Sequence, residues 1–334
     1  MSERKKVKDL KVGDSVDMTL LVQEKELKEF VSKTGYYLQA KFGDSSGSIG
    51  AKCWDRAEET GAMFEPGEVV HINGVVESFK GRLQLIFTLE GVKKSADGVS
   101  EYLPRTSKEI DVIFGDIVKT AESMENEYLK AVVFSFLNDP EFIDSFKETP
   151  AAKIHHHNYI GGLLEHTQSV MELCKTIIKL YPELDRDLLL TGAILHDIGK
   201  TAAYVFDFRI DVTDEGGLVN HIVLGYQMVE ERIRAIEGFP KELELRLLHL
   251  LLSHHNYGEW GSPVKPLFAE AEALFLADML DARLNEFSQQ QMLEAVKERE
   301  GVWSGFNRRL DRFIYLGDAY PKGKERKKYG DRER

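Results

Sequence analysis

The string Leu188-Leu189-Leu190-Thr191-Gly192-Ala193-Ile194-Leu195-His196-Asp197-Ile198-Gly199-Lys200 is an apolar helix that stops on a His-Asp pair, followed by Gly and Lys. Both polar residues are costly to bury at the end of such a run unless each is bound, to its neighbour or to a shared ligand. Outward from it, the same residue types recur at helix ends. Upstream, His166 stands in Gly161-Gly162-Leu163-Leu164-Glu165-His166-Thr167, at the start of a helix. Downstream, His221 opens a helix over 220–236, and His254-His255 close one over 242–253. Asp278 lies on the apolar face of Ala273-Leu274-Phe275-Leu276-Ala277-Asp278-Met279-Leu280, where a carboxylate is almost never buried without a partner. Asp281, one turn on, competes with it for the inward direction. Of the ten histidines, only His71 lies outside 155–255.

The first ninety residues have a different period. Strands are expected at 16–22, at Tyr36-Tyr37-Leu38-Gln39-Ala40-Lys41-Phe42, at 48–53, at 69–76 and at 82–89, with a short helix over 56–64. Five short strands with a helix between the third and fourth predict an OB-fold. Residues 91–108 are polar and rich in turn formers, and read as a linker. From Glu109 the period is helical (Ile110, Ile113, Phe114, Ile117, Val118), giving an arm over 109–160 punctuated by Pro140 and Pro150. Long amphipathic helices follow to about 313, with strand candidates only at 206–212 and 218–219. The fold class expected is therefore multidomain: an N-terminal all-β OB barrel over 1–90 and a C-terminal all-α bundle over 161–315. The tail 316–334 is too charged to pack and is expected to be mobile.

The chain has 334 residues, 43% hydrophobic and 30% charged, a globular composition that excludes wholesale disorder and fibrous classes. No run approaches ~18 apolar residues, so no membrane span is expected. The start, MSERKKVKDL, lacks the apolar core of a secretory signal. Cys53 and Cys174 belong to no CxxC pair, which argues against a disulfide framework or a cysteine zinc site and makes the cytoplasm the default compartment. The formal net charge of −12 taken alone speaks against nucleic acid, but it is uneven. Residues 1–90 carry 13 basic and 15 acidic residues, and residues 322–334 carry seven basic and three acidic. The acidity is concentrated in the middle, with the histidines.

The order His166 … His196-Asp197 … Asp278 resembles the HD superfamily of metal-dependent phosphohydrolases. The resemblance implies a divalent metal held by these residues. His221 and His254, with His255 as a further candidate, are similar to the second-metal ligands of binuclear members, and Asp197 would bridge the two ions. Imidazole and carboxylate donors suit Mn, Fe, Co or Zn. Two ions roughly 3.5–4 Å apart clamp a phosphate, generate the nucleophile and stabilise the leaving oxygen. Lys200 is placed to neutralise phosphoryl charge, or to serve only as a helix C-terminal cation. His155, His156 and His157 are expected as phosphate or base contacts at the mouth of the site. His249 is expected as a packed helix residue.

On the barrel, exposed aromatics and cations suit single-strand binding. Tyr36, Tyr37, Trp54 and Phe79, with Lys41 and Lys52 nearby and Lys80 and Arg82 at a hairpin tip, are the candidates, whereas Phe42 and Phe87 are expected in the core. Of Tyr36 and Tyr37, one should face in and one out.

An OB segment, a linker, a helical arm and an HD domain together resemble the YhaM-type 3′→5′ exoribonucleases. The likeness spans about residues 1–315 and rests on the barrel, on His155-His156-His157-Asn158-Tyr159-Ile160-Gly161-Gly162-Leu163-Leu164-Glu165-His166-Thr167, on His196-Asp197-Ile198-Gly199-Lys200 and on Ser253-His254-His255-Asn256. It implies Mn-supported removal of nucleotides from the 3′ ends of RNA or single-stranded DNA, and a homo-oligomer. Two alternatives stand beside it: an HD-type nucleotidase or phosphodiesterase on small nucleotides, and a non-enzymatic single-strand-binding replication or regulatory factor. The residues after His254-His255 lack the GYP tripeptide of the cyclic-dinucleotide class, and an iron oxygenase with a similar cage is a remote third. An intact ligand set speaks against a purely structural role, since unused ligands would leave a buried charge cluster uncompensated.

Overall fold

The computed structural model describes residues 5–30, 34–79, 82–152, 157, 159–206, 210–295, 302–308 and 310–317. The chain divides into two compact units, Met1–Tyr102 with Asn285–Arg334, and Leu103–Leu284. In the first, β1 (Ser15–Glu29), β2 (Tyr36–Asp44), β3 (Gly47–Cys53), β4 (Val69–Phe79) and β5 (Arg82–Lys94) close into a barrel in the order β1-β2-β3-β5-β4, with α1 (Ala57–Gly61) between β3 and β4. The pairings are antiparallel apart from β3 with β5. This is the OB topology that the strand spacing predicts. Leu38, Ala40 and Phe42 of β2 and Ile49, Ala51 and Cys53 of β3 are buried, as a period of two requires. Phe42 meets Phe87 edge-on at 5.4 Å and Phe64 at 5.7 Å. Cys53 and Cys174 are both buried and free.

Gly91–Lys94, assigned to the linker by polarity, instead belong to β5. Val92 pairs with Ile72 and Lys94 with Val70, and Val92 is buried. At the other end of the expected linker, Arg105 bridges Ile160, and Ile160 N–H donates to the Pro104 carbonyl at 2.9 Å.

The second unit carries α2 (Ile110–Glu122), α3 (Glu127–Leu137), α4 (Pro140–Glu148), α5 (Gly162–Leu180), α6 (Arg186–Leu195) and α7 (Lys200–Ala203). The short hairpin β6 (Tyr204–Phe206) and β7 (Ile210–Val212), α8 (Asp214–Val219), α9 (His221–Arg234), α10 (Lys241–Ser253) and α11 (Ala269–Ala295) follow. Leu218 and Val219, a strand candidate by sequence, are the last turn of α8. Side-chain caps set several starts: Asn126, Asp139, Asp185, Thr213 and Asn220 accept from first-turn N–H groups of α3, α4, α6, α8 and α9. The expected arm is not separate. Ile117, Leu129, Val133 and Phe136 belong to one buried cluster with Leu163, Met171, Leu189, Ile194, Leu251 and Leu274. An amphipathic helix gains its stability by burying its stripe against a neighbour, and α2–α4 bury theirs against the helices that follow.

Beyond α11 the expected helix gives way to an antiparallel hairpin, β8 (Trp303–Asn307) and β9 (Arg312–Tyr315). Leu316, assigned to the mobile tail, is 3% exposed and clusters with Leu310, Ile314 and Phe287. The remaining expected tail, 318–334, lies outside the described residues, as do Lys80, His155 and His156. No helix among the described residues is long and apolar enough to cross a membrane.

Candidate metal centre and strand-binding face

Helix ends bring the polar groups of the second unit together. His166 comes from the first turns of α5, His196-Asp197 from the end of α6, His221 from the first residue of α9, His254-His255 from the end of α10, and Asp278 from within α11. Asp197 is central and 1% exposed. Its Oδ2 lies 3.5 Å from His166 Nε2 and 3.4 Å from His196 Nε2. Its Oδ1 lies 3.3 Å from His221 Nε2 and 3.6 Å from His254 Nε2. Asp278 approaches His166 Nε2 at 3.1 Å and His255 Nε2 at 3.8 Å. One carboxylate thus presents each oxygen to a different pair of imidazoles.

Two glycines permit this convergence. A Cβ on Gly199 would stand 2.0 Å from the His221 carbonyl oxygen and 2.4 Å from Gly225 N, so the chain after the His-Asp pair passes directly against the start of α9. A Cβ on Gly162 would stand 2.0 Å from the His157 carbonyl oxygen. Neither approach tolerates a side chain.

Backbone carbonyls orient the rings. Nδ1 of His196 lies 3.0 Å from Ala193 O, Nδ1 of His254 2.7 Å from Leu251 O, and Nδ1 of His255 2.8 Å from Trp260 O. A carbonyl only accepts, so each Nδ1 carries the proton and each Nε2 turns a lone pair inward. His166 directs Nδ1 at Asp281 Oδ2, 2.7 Å away. The buried atoms Asp197 Oδ1, His221 Nε2 and His254 Nε2 make no hydrogen bond. Unsatisfied polar atoms at the focus of a buried site are costly, and a bound cation would satisfy all three. The donor set therefore fits a divalent metal. Asp197, His221, His254 and His255 offer ligand atoms within 4.8 Å of one another, and so do His166, His196 and Asp197.

Charge follows the same logic. Burial opposes ionisation of Asp197, yet the Lys200 ammonium and His196 hold its carboxyl well below the usual range. Asp278 is likewise lowered against burial by His166. Burial would lower His166, but Asp278 and Asp281 outweigh it and raise it to about 9. Burial pushes His221 down to about 4 and, aided by neighbouring His254, His255 down to about 3. Lys200 is 4% exposed and donates to Asp197 Oδ2, so its ammonium is committed to the central carboxylate.

Asp281 does not compete with Asp278 for the centre but backs His166 from behind, a carboxylate–histidine arrangement that orients ligands in metal sites. Its signal was the three-residue spacing from Asp278, which puts both on one helix face. His157 departs from expectation. It is not at a mouth but 3% exposed, in a left-handed turn (φ 49°), with Nε2 3.0 Å from Asp281 and Nδ1 2.7 Å from the Tyr159 hydroxyl. Tyr159 in turn donates to Glu165, which also accepts from Thr106 and pairs with Lys108 at 3.0 Å. Of these four neighbours, Tyr159 and Glu165 stand in the string around His166, whereas Thr106 and Lys108 read by sequence only as linker. His249 accepts from Leu267 N–H, outside the cluster.

On the barrel, Trp54 (44% exposed) and Phe79 (55% exposed) join a patch. Tyr37 and Trp54 lie 5.1 Å apart, and Phe30 stands 5.4 Å from Tyr37 and 6.2 Å from Trp54. The Lys52 ammonium sits over Tyr37, Trp54 and Phe79 at 5.1, 4.8 and 5.3 Å. Tyr37 is thus the outward member of its pair. Tyr36, on the inward parity but at the rim, stays exposed and donates to Glu29. Arg82 is exposed and pairs in register with Phe79. At the centre of the patch, Lys52 and Tyr37 are among the residues the sequence offers, whereas Phe30 is not.

Fold and site together define an OB barrel carried with an HD domain, and the HD domain family matches residues 163–283. The 3′-5′ exoribonuclease YhaM of Listeria monocytogenes (serovar 1/2a) is 34% identical over 283 residues, covering 84% of this chain and 89% of that protein. The YhaM of Bacillus pumilus is 35% identical over 295 residues, covering 86% and 91%. The chain belongs to this YhaM family. Among solved structures, the second OB-fold domain of replication protein A from Methanococcus maripaludis is similar at 19% identity and a TM-score of 0.22, over 28% of this chain and 96% of that domain. The strand order, not that likeness, assigns the barrel.

Proposed function

We propose that the chain is a metal-dependent 3′→5′ exoribonuclease that shortens single-stranded RNA, with two divalent cations held by His166, His196, Asp197, His221, His254 and Asp278, and His255 as a further donor. The observation that carries this is the division of Asp197, with Oδ2 toward His166 and His196 and Oδ1 toward His221 and His254. A carboxylate so placed suits a bridge between two ions. Manganese is the ion we favour for this mixed imidazole–carboxylate set. Ions held by these residues would supply the polarisation of phosphoryl oxygens and a water acidic enough to attack at neutral pH.

The protein's own part is positioning and charge. Lys200 fixes the orientation of Asp197. His221 and His255, lowered by burial, keep their lone pairs at neutral pH. Asp281 and His157 hold the His166 ring from behind. On the barrel, Trp54, Tyr37 and Phe79 offer π-faces on which bases stack, and Lys52, Arg82 and the Tyr36 hydroxyl meet the backbone.

The test is incubation of 5′-labelled single-stranded RNA with Mn²⁺, with and without chelator. A ladder shortening from the 3′ end, abolished by chelator, is expected. Hydrolysis of free nucleotides alone would sink the proposal in favour of a nucleotidase. Binding without cleavage in any divalent metal would favour a single-strand-binding factor.

A further inference from the structure

The β8–β9 hairpin carries four exposed aromatic rings. Trp303, Phe306, Phe313 and Tyr315 are 57%, 51%, 58% and 61% exposed. They form two cross-strand pairs: Trp303 with Tyr315 at 5.0 Å between ring centroids, and Phe306 with Phe313 at 5.3 Å. Phe313 and Tyr315 share a face because they are two residues apart. Trp303 and Phe306 are three apart, and a regular strand would send them to opposite faces. The register shifts between them. That irregularity carries Phe306 to the outer face while Ser304 is buried, its hydroxyl accepting from Ile314 N–H at 2.9 Å. Bulges commonly re-aim side chains in this way. The inner side is already satisfied, since Leu310, Ile314 and Leu316 pack with Phe287. The fold thus spends a strand irregularity to gather four rings in water.

We propose that this aromatic face is a second binding surface for single-stranded RNA, on which successive bases stack, separate from the patch around Lys52. Charge favours a polyanion. Arg308 and Arg312 are exposed at the hairpin tip, and residues 302–317 contain three arginines against one acidic residue in a chain of net charge −12. Spacing agrees too: alternate strand residues stand ~6.8 Å apart, about two base-stacking intervals. A second copy of the chain fits the face less well. Four aromatic side chains of roughly 150–250 Å² each, about half exposed, present on the order of 450 Å², whereas a stable interface buries about 800 Å² per partner, and like basic charges would meet. The inference rests on reading the chain as an enzyme of RNA.

The test uses the full-length protein and a fluorescein-labelled long oligouridylate, measured by anisotropy in chelator so that binding is read without cleavage. Phe306→Ala with Phe313→Ala should weaken binding roughly tenfold per ring, while Phe306→Tyr with Phe313→Tyr should bind as the parent does. Manganese-dependent cleavage of a dinucleotide should be unchanged in both variants, which also reports that the helical unit is intact. Unchanged affinity in the alanine variant, or equal loss in the tyrosine variant, overturns the proposal. A fall in solution mass by light scattering with unchanged RNA affinity assigns the face to a second copy and overturns it as well. A parent protein that binds but never cleaves would refute the exonuclease assignment and leave the binding surface standing.

Discussion

In the helical unit, histidines and carboxylates are sealed in a core, Asp197 at 1% exposure, with lone pairs aimed at a common point. On the barrel, Trp54 and Phe79 stand about half in water around one lysine. On the proposed reading the two regions would bind by different physics. Buried lone pairs and charges are costly until a cation completes them, so the centre works as a unit and any missing member leaves the rest stranded. Exposed rings each contribute an increment that is lost singly. Deletions should therefore be catastrophic in one region and graded in the other.

The largest effect is expected for Asp197→Asn, which keeps the shape and removes the charge shared by both histidine sets. RNA cleavage in Mn²⁺ should fall about a thousandfold or more, and measurable residual activity near the parent rate would show that the carboxylate is not shared. Asp281→Asn leaves the inner donors in place but loosens the His166 ring. Metal affinity by competition with a chelating dye should fall about 10–100-fold, with excess Mn²⁺ restoring much of the rate.

The pH dependence of the metal-free protein sharpens the contrast further. His166, raised to about 9 in the fold, contributes stability that is complete below pH 6.5 and is lost as pH rises through 9. His221 and His255, lowered to about 4 and 3, contribute stability present above pH 6.5 and lost as pH falls toward those values. In chelator, the melting temperature should peak near pH 6.5 and drop by several degrees on either side. A melting temperature flat across this range would mean that the histidines are not coupled to folding. The smallest effect is expected for Trp54→Ala: about tenfold weaker binding of a long single strand, by anisotropy in chelator, with the dinucleotide rate unchanged.

The contrast also explains what could be read from sequence. The convergence of these histidines and carboxylates was legible because helix ends concentrate them, and a charged pair closing an apolar helix has few innocent explanations. The positions of Asp278 and Asp281 were not separable, because two carboxylates three residues apart point almost alike and only the approach of His166 distinguishes them. His157 was misplaced because its burial depends on a left-handed turn against Gly162, which residue type does not signal. The arm over 109–160 looked independent because amphipathicity reveals an apolar face but not what covers it. Gly91–Lys94 were hidden by polar residues at the end of a paired strand. The last hairpin was hidden by the irregularity between Trp303 and Phe306, which erases the two-residue period. On the barrel, alternation separated core from surface well, but the patch around Lys52 is assembled across strands, and no single strand displays it.

The close passage of Gly199 against the His221 carbonyl and Gly225 has one more consequence. The chain bearing Asp197 and the helix bearing His221 meet backbone to backbone, with no flexible side chain between them to absorb displacement. Helix α9 therefore cannot drift while the His-Asp turn stays still. On the proposed reading, an ion held by Asp197 and His221 would leave only through a cooperative local opening of the backbone, and its escape rate would belong to the fold rather than to the strength of any one coordinate bond.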